Sequence, residues 1–371
     1  MKKKILSRLL THIVIPVCAL AVIFQLTTGC GNPQTTTSES VDTLNEEHVS
    51  ALAARIVWAV HNGDAETFNK AINKAHIRER VSENSIVNSG FDVEGGEAFF
   101  DKCLQVGEQA VHAVNNGGDF TFVHYYQQDG EHHVVFRTYD NFTLNFSDYT
   151  VDTVGGKLML QDGFIYNLGC MLSTSVQYSM LYNLMLQTNP ESDVKWLQQA
   201  EEQTIKHKNK AALKTLTEHK DALKEYPLFY QLYIANLYQT NAKNFIARID
   251  ELQQEDVDER YLMLHKLLFH VNNGHLAETE NTINQLIPHT GDDPIYLLFY
   301  GKANMEAKKY QDALTVFQMA EDGLPLIWDL WYSELQCYAR LKDKAGYEKC
   351  LAKGKEAYGM SEEELRNLKV R

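Results

Sequence analysis

The chain has 371 residues, enough for two globular domains, and 49 acidic side chains against 35 basic ones give it a formal charge of −14. With no basic patch and no interleaved aromatic run to offset that charge, a nucleic-acid partner is excluded. No P-loop, Gly-x-Ser-x-Gly elbow, His-Glu-x-x-His or Cys-x-x-Cys is present, so no motif marks an enzyme and no cofactor or metal is expected.

In chain order, Lys2, Lys3, Lys4 and Arg8 precede an apolar run from Ile13 to Phe24 that ends in small polar residues, the pattern of a secretory signal over residues 1–29. The run is only about a dozen residues long, against roughly 20 needed to span hydrocarbon. Gly29-Cys30 resembles the bacterial lipobox (Leu-Ala/Ser-Gly/Ala-Cys), with Leu26 one place early and Thr27 and Thr28 between. The resemblance implies a lipoprotein whose mature chain begins at Cys30, with a diacylglycerol thioether and an amide-linked acyl chain such as palmitate, and hence permanent membrane attachment. Loss of a leader carrying four cations takes the formal charge from −14 to about −18. Gly31 in place of Asp, and the absence of an acidic run after the cysteine, imply a periplasm-facing outer-membrane address. Asn32 to Asn45 is polar and free of aromatics, so residues 30–45 are expected to be a flexible tether.

Residues 46–189 mix two periods. Helical spacing marks Val49–Val60, Ala65–Ala75 and Glu97–Val114. Strands are expected at Phe120–Tyr126 and His132–Tyr139 around Asp129-Gly130, and at Phe142–Thr153 and Lys157–Leu168 around Gly155-Gly156. A last amphipathic helix, Met171–Gln187, follows. Helices followed by an antiparallel meander give an α+β domain. This element order resembles the cystatin or NTF2-like arrangement, in which a curved sheet wraps a helix.

Residues 190–371 follow a register of 34 residues. In the segment Pro294 to Ile327, Leu297, Gly301, Ala313, Phe317, Ala320 and Pro325 fall on the signature positions of the tetratricopeptide (TPR) repeat, which this segment resembles. A step forward meets Trp331, Leu335, Tyr338, Tyr347 and Leu351. Steps backward meet Met263, Leu267, Thr279, Ile283 and Leu286, then Phe229, Tyr233, Phe245, Ile249 and Leu252, and finally a weaker unit, Ser192 to Glu225, with Ala211 at the packing position. The expected fold class is an α+β domain followed by an all-α solenoid of about five such repeats.

The resemblance to TPR proteins implies a concave groove lined by Tyr230, Ile234, Leu237, Tyr261, Leu264, Leu268, Leu298, Lys302, Tyr332 and Gln336. An apolar, aromatic groove of this kind suits a protein or peptide partner, and filling by the chain's own residues is the alternative. Tyr125, Arg137, Tyr139, Asp148, Asp162 and Tyr166 are candidates to line a cavity in the sheet. His132 and His133 are neighbours on a strand and point to opposite faces, so they cannot share a metal. Cys103, Cys170, Cys337 and Cys350 are expected to be small buried hydrophobes rather than disulfide partners. The combined expectation is a membrane-tethered scaffold that binds an envelope protein through its repeats. The alternative is a ligand-binding or catalytic N-terminal domain with the repeats as a dock.

Overall fold

The structure is a computed structural model that describes residues 44–92, 95–140, 143–189, 191–255, 257–324, 327–361 and 363–364. The expected leader, Cys30 and the tether before Leu44 lie outside the described residues, as does Pro325.

Asn45 opens the described fold by accepting from the His48 N–H, which caps α1 (Glu46–His61). The helix expected over Ala65–Ala75 is instead two, α2 (Ala65–Ala71) and α3 (Lys74–Ser82). Between them Ile72 is extended and bridges Leu160, the Asn73 N–H donates to the Leu160 carbonyl at 2.7 Å, and the Asn73 side chain caps α3. A strand partner and a new cap thus outweigh helix continuation. After α4 (Ser85–Gly90), the helix expected over Glu97–Val114 also divides, into α5 (Gly96–Cys103) and α6 (Val106–Asn115). Here Asn69 of α2 accepts from the Gly107 N–H at 2.9 Å, and a Cβ at Gly107 would meet the Ala65 carbonyl, so glycine is needed for the approach.

Five antiparallel strands follow in the order β1-β2-β3-β4-β5: β1 Asp119–Gln128, β2 Glu131–Asp140, β3 Thr143–Val154, β4 Lys157–Ile165 and β5 Cys170–Met171. Both hairpin turns lie where turn chemistry puts them. Asp129 and Gly130 have φ of 53° and 86°, and Gly155 and Gly156 of 58° and 76°, the left-handed pair that a two-residue hairpin requires. A register shift between Tyr149 and Val151 interrupts the β3–β4 ladder. The short β5 has no signal in the sequence pattern.

The rest is helical: α7 Leu172–Thr188, α8 Val194–Ile205, α9 Asn209–Glu218, α10 Lys220–Leu223, α11 Pro227–Thr240, α12 Phe245–Gln253, α13 Glu259–Asn273, α14 Leu276–Thr290, α15 Ile295–Glu306, α16 Tyr310–Ala320, α17 Trp328–Leu341 and α18 Lys344–Tyr358. The architecture is α+β followed by all-α. The chain folds as two compact units. Of the described residues, the first holds those from Leu44 to His112, from Phe120 to Thr138 and from Thr143 to Asp258; the second holds those from Ala113 to Asp119, Tyr139 and Asp140, and those from Glu259 on. The change of sequence pattern near residue 190 thus lies within the first unit. In the first unit α7 packs on α3, α4, α5 and β4, and α8 packs on α7, α9 and α11, so the first helices past the sheet belong to its core.

In the second unit each helix packs on the next, and α13 touches α15 as α15 touches α17. The 34-residue register marks this packing. Met263, Leu267, Thr279, Ile283 and Leu286 are buried, as are Ala313, Phe317 and Ala320. A Cβ at Gly301 would collide with the Phe317 ring. Trp331, Leu335, Tyr338, Tyr347 and Leu351 all join one apolar cluster around Cys350. In the weaker first repeat, Ala212 is fully buried while the expected Ala211 is half-buried, a slip of one residue.

Candidate functional site

Three neighbouring strands of the first unit bring together a polar cluster. Tyr126 and His133 stack with ring centroids 4.4 Å apart, and His124 stacks on Tyr126 at 5.4 Å. Asp148 of β3 accepts from the Tyr126 hydroxyl at 2.5 Å, and its second oxygen lies 3.0 Å from His133 Nδ1. On the other side of the ring, Nε2 lies 4.0 Å from a Glu131 carboxylate oxygen. Burial lowers the His124 pKa, against the pull of Asp148. A carboxylate that orients an imidazole is a general-base arrangement.

The six candidate cavity residues do not converge on this cluster. Asp148 belongs to it, whereas Tyr125 pairs with His132, its hydroxyl 2.9 Å from Nδ1. Asp162 is 2% exposed and caps α7: Oδ1 accepts from the Ser173 N–H at 3.0 Å and Oδ2 from the Ser173 hydroxyl at 2.5 Å, with Arg80 Nε 3.3 Å away. A structural anchor replaces the expected cavity wall there, because a buried helix start needs an acceptor and Met171 at the N-cap supplies none from its side chain. Arg137 and Tyr166 are buried, and Tyr139 belongs to the second unit. His132 and His133 do separate onto different partners, Tyr125 and Tyr126, as alternation along a strand requires. Among the described residues no group of three or more His, Cys, Asp or Glu is placed to hold a metal ion.

The groove positions are largely closed. Ile234 and Leu237 in the first unit, and Tyr261, Leu264 and Leu298 in the second, are buried; Tyr230, Leu268, Lys302, Tyr332 and Gln336 are half-buried. Within the second unit, Lys302 of α15 donates to the Tyr139 hydroxyl at 3.0 Å and lies 3.3 Å from Asp329 Oδ2 of α17, which also accepts from Tyr139. Phe299 meets the Tyr139 ring edge to face at 6.0 Å. Burial pushes the Lys302 pKa down, opposed by Asp329. The expectation of an open groove is corrected around Lys302, where the chain's own Tyr139 fills the space.

An open cleft does exist in the second unit, at the turn from α14 to α15. Its volume is about 400 Å³, and it is lined by Glu280 and Ile283 of α14, by Asp292, Asp293 and Pro294 of the turn, and by Tyr296, Leu297 and Tyr300 of α15. Asp293 Oδ1 accepts from the Ile295 N–H at 2.7 Å, and the Tyr296 hydroxyl lies 2.5 Å from that of Thr290, which fixes the turn.

Cys103, Cys170, Cys337 and Cys350 are all free thiols, each pushed up to about 12 chiefly by burial. No helix among the described residues is long and apolar enough to cross a membrane. Comparisons with protein-family models, curated proteins and solved structures gave no match.

Sequence reading missed the Tyr126–His133–Asp148 cluster and the α14–α15 cleft. The tight turn at Asp129-Gly130 would have paired Tyr126 with His133 by counting back along both strands. The place of Asp148 needs the β2–β3 pairing, for which the sequence carries no comparable signal.

Proposed function

We propose that this chain is a lipid-anchored scaffold of the bacterial envelope, with Cys30 acylated and a stack of TPR-like helix pairs presenting a surface to a protein partner. The observation that carries the reading is the packing of the second unit. Sequential helix pairs in which alternate helices touch, interlocked at Gly301 and Phe317, are the construction by which solenoids expose continuous binding surfaces. The N-terminal unit we read as a cystatin- or NTF2-like layer, on element order.

A photo-crosslinking residue placed in living cells at Tyr300, Tyr332 or Gln336 tests this. A discrete adduct with one envelope protein is expected at one or more of these positions, and adducts at none of them would refute it. For the anchor, Cys30→Ser should release the protein from the membrane fraction and abolish metabolic labelling with palmitate; a labelled, membrane-bound Cys30→Ser protein would refute lipidation.

One observation favours a second reading. The Asp148–His133 pair with its Tyr126 neighbour suits small-ligand binding or proton transfer in the first unit, with the helices as a dock. Native mass spectrometry of the intact protein that retained a small molecule, lost on Asp148→Asn, would support it.

A further inference from the structure

The cleft between α14 and α15 combines an apolar floor with a carboxylate rim. Ile283, Leu297 and the rings of Tyr296 and Tyr300 supply its buried and half-buried apolar lining, while Glu280, Asp292 and Pro294 are exposed and Asp293 is buried. At about 400 Å³ the cleft lies within the range of sites that enclose a small ligand or a few anchoring side chains. We propose that this cleft is a docking site for a cationic segment of the partner protein, one that sets an aliphatic or aromatic side chain on the tyrosine floor between flanking Lys or Arg residues. The proposal rests on the scaffold reading above and specifies the partner's chemistry.

Charge complementarity selects the occupant. A hydrophobic anchor alone would fit the floor, but an acidic or neutral segment would bring its own charges or bare carbonyls against the rim carboxylates. A basic segment gains from both, and the acidic body of the protein, about −18 without the four cations of the leader, steers it inward. The cleft is also a better docking place than the groove beside Lys302, where Tyr139 already fills the space.

The test uses the full-length chain in nanodiscs of zwitterionic lipid, at moderate salt, with a short labelled peptide alternating Lys with Leu and a second alternating Glu with Leu, read by fluorescence anisotropy. The Lys peptide should bind and the Glu peptide should not. Glu280→Lys combined with Asp292→Lys should weaken the Lys peptide by about tenfold or more and admit the Glu peptide. Both substituted positions are exposed, so the variant should fold normally. Reversing two charges elsewhere, by Asp312→Lys with Glu356→Lys, changes the net charge by the same amount and should leave binding unchanged; an equal loss there would reduce the effect to net charge and overturn the proposal. Failure of the Lys peptide to bind the wild-type chain would also overturn it. The failures are distinguishable: a partner crosslinked at Tyr332 but never at Tyr300 would sink this site and leave the scaffold reading standing.

Discussion

Glu334 is the group whose ionisation the fold resists most clearly. It lies on α17 at 3% exposure, facing Glu321 at the end of α16 and Lys353 of α18, whose Nζ is 3.8 Å away. Burial, and the hydrogen bond and charge of Glu321, raise its pKa from 4.5 to about 8, while Lys353 opposes the shift. Between pH 4.5 and 8 the folded protein therefore keeps a proton that the unfolded chain has released, so this group makes stability fall as pH rises across that window and level off above it. At about 1.4 kcal/mol per unit the ceiling is roughly 5 kcal/mol. Relaxation of the Lys353 ammonium toward a newly formed charge leaves an expected effect of about 2 kcal/mol. Against the upward push of its burial, the hydrogen bonds of Lys353 and Glu334 lower the Glu321 pKa, so its own titration falls below this window. Glu334→Gln keeps a hydrogen-bond donor toward Glu321 and removes the titration. Urea unfolding followed by circular dichroism from pH 5 to pH 9 should show the variant close to wild type at the acid end and about 2 kcal/mol more stable at the alkaline end. A variant-minus-wild-type difference that stays flat with pH would refute the assignment, because contributions from other groups cancel in that difference.

His265 titrates in the opposite sense: burial lowers its pKa to about 4, so it makes stability fall as pH drops from 6.5 toward 4, and in His265→Leu a thermal-denaturation series should lose that acid-side decline. Gly301→Ala should destabilise by about 1 to 3 kcal/mol, because the new Cβ overlaps the Phe317 ring; an unchanged melting temperature would contradict the close packing. Asp162→Ala leaves the buried Ser173 N–H and hydroxyl without their acceptor and should cost about 2 to 3 kcal/mol by denaturant titration. Asp148→Asn should release the Nδ1–H tautomer of His133, visible in the nitrogen shifts of the ring; an identical tautomer in the variant would show that Asp148 does not orient it.

The sequence by itself determined the elements whose signals are local. Four long strands lie within a few residues of their expected places because Asp129-Gly130 and Gly155-Gly156 can take the left-handed backbone that tight hairpins need. The 34-residue register located the buried faces from Met263 through Leu351 because each position packs against the adjoining helices. Only the tertiary structure decided where those faces end. Asn73 and Asn69 break two expected helices through partners distant in the chain, and α7 to α12 fall in the same compact unit as most of the sheet, with α7 packed on β4 and α3. The candidate sites divide in the same way. Alternation along β2 separated His132 from His133, but the meeting of His133 with Asp148, the capping of α7 by Asp162 and the filling of the Lys302 position by Tyr139 each join residues whose spacing in the sequence sets no distance in space.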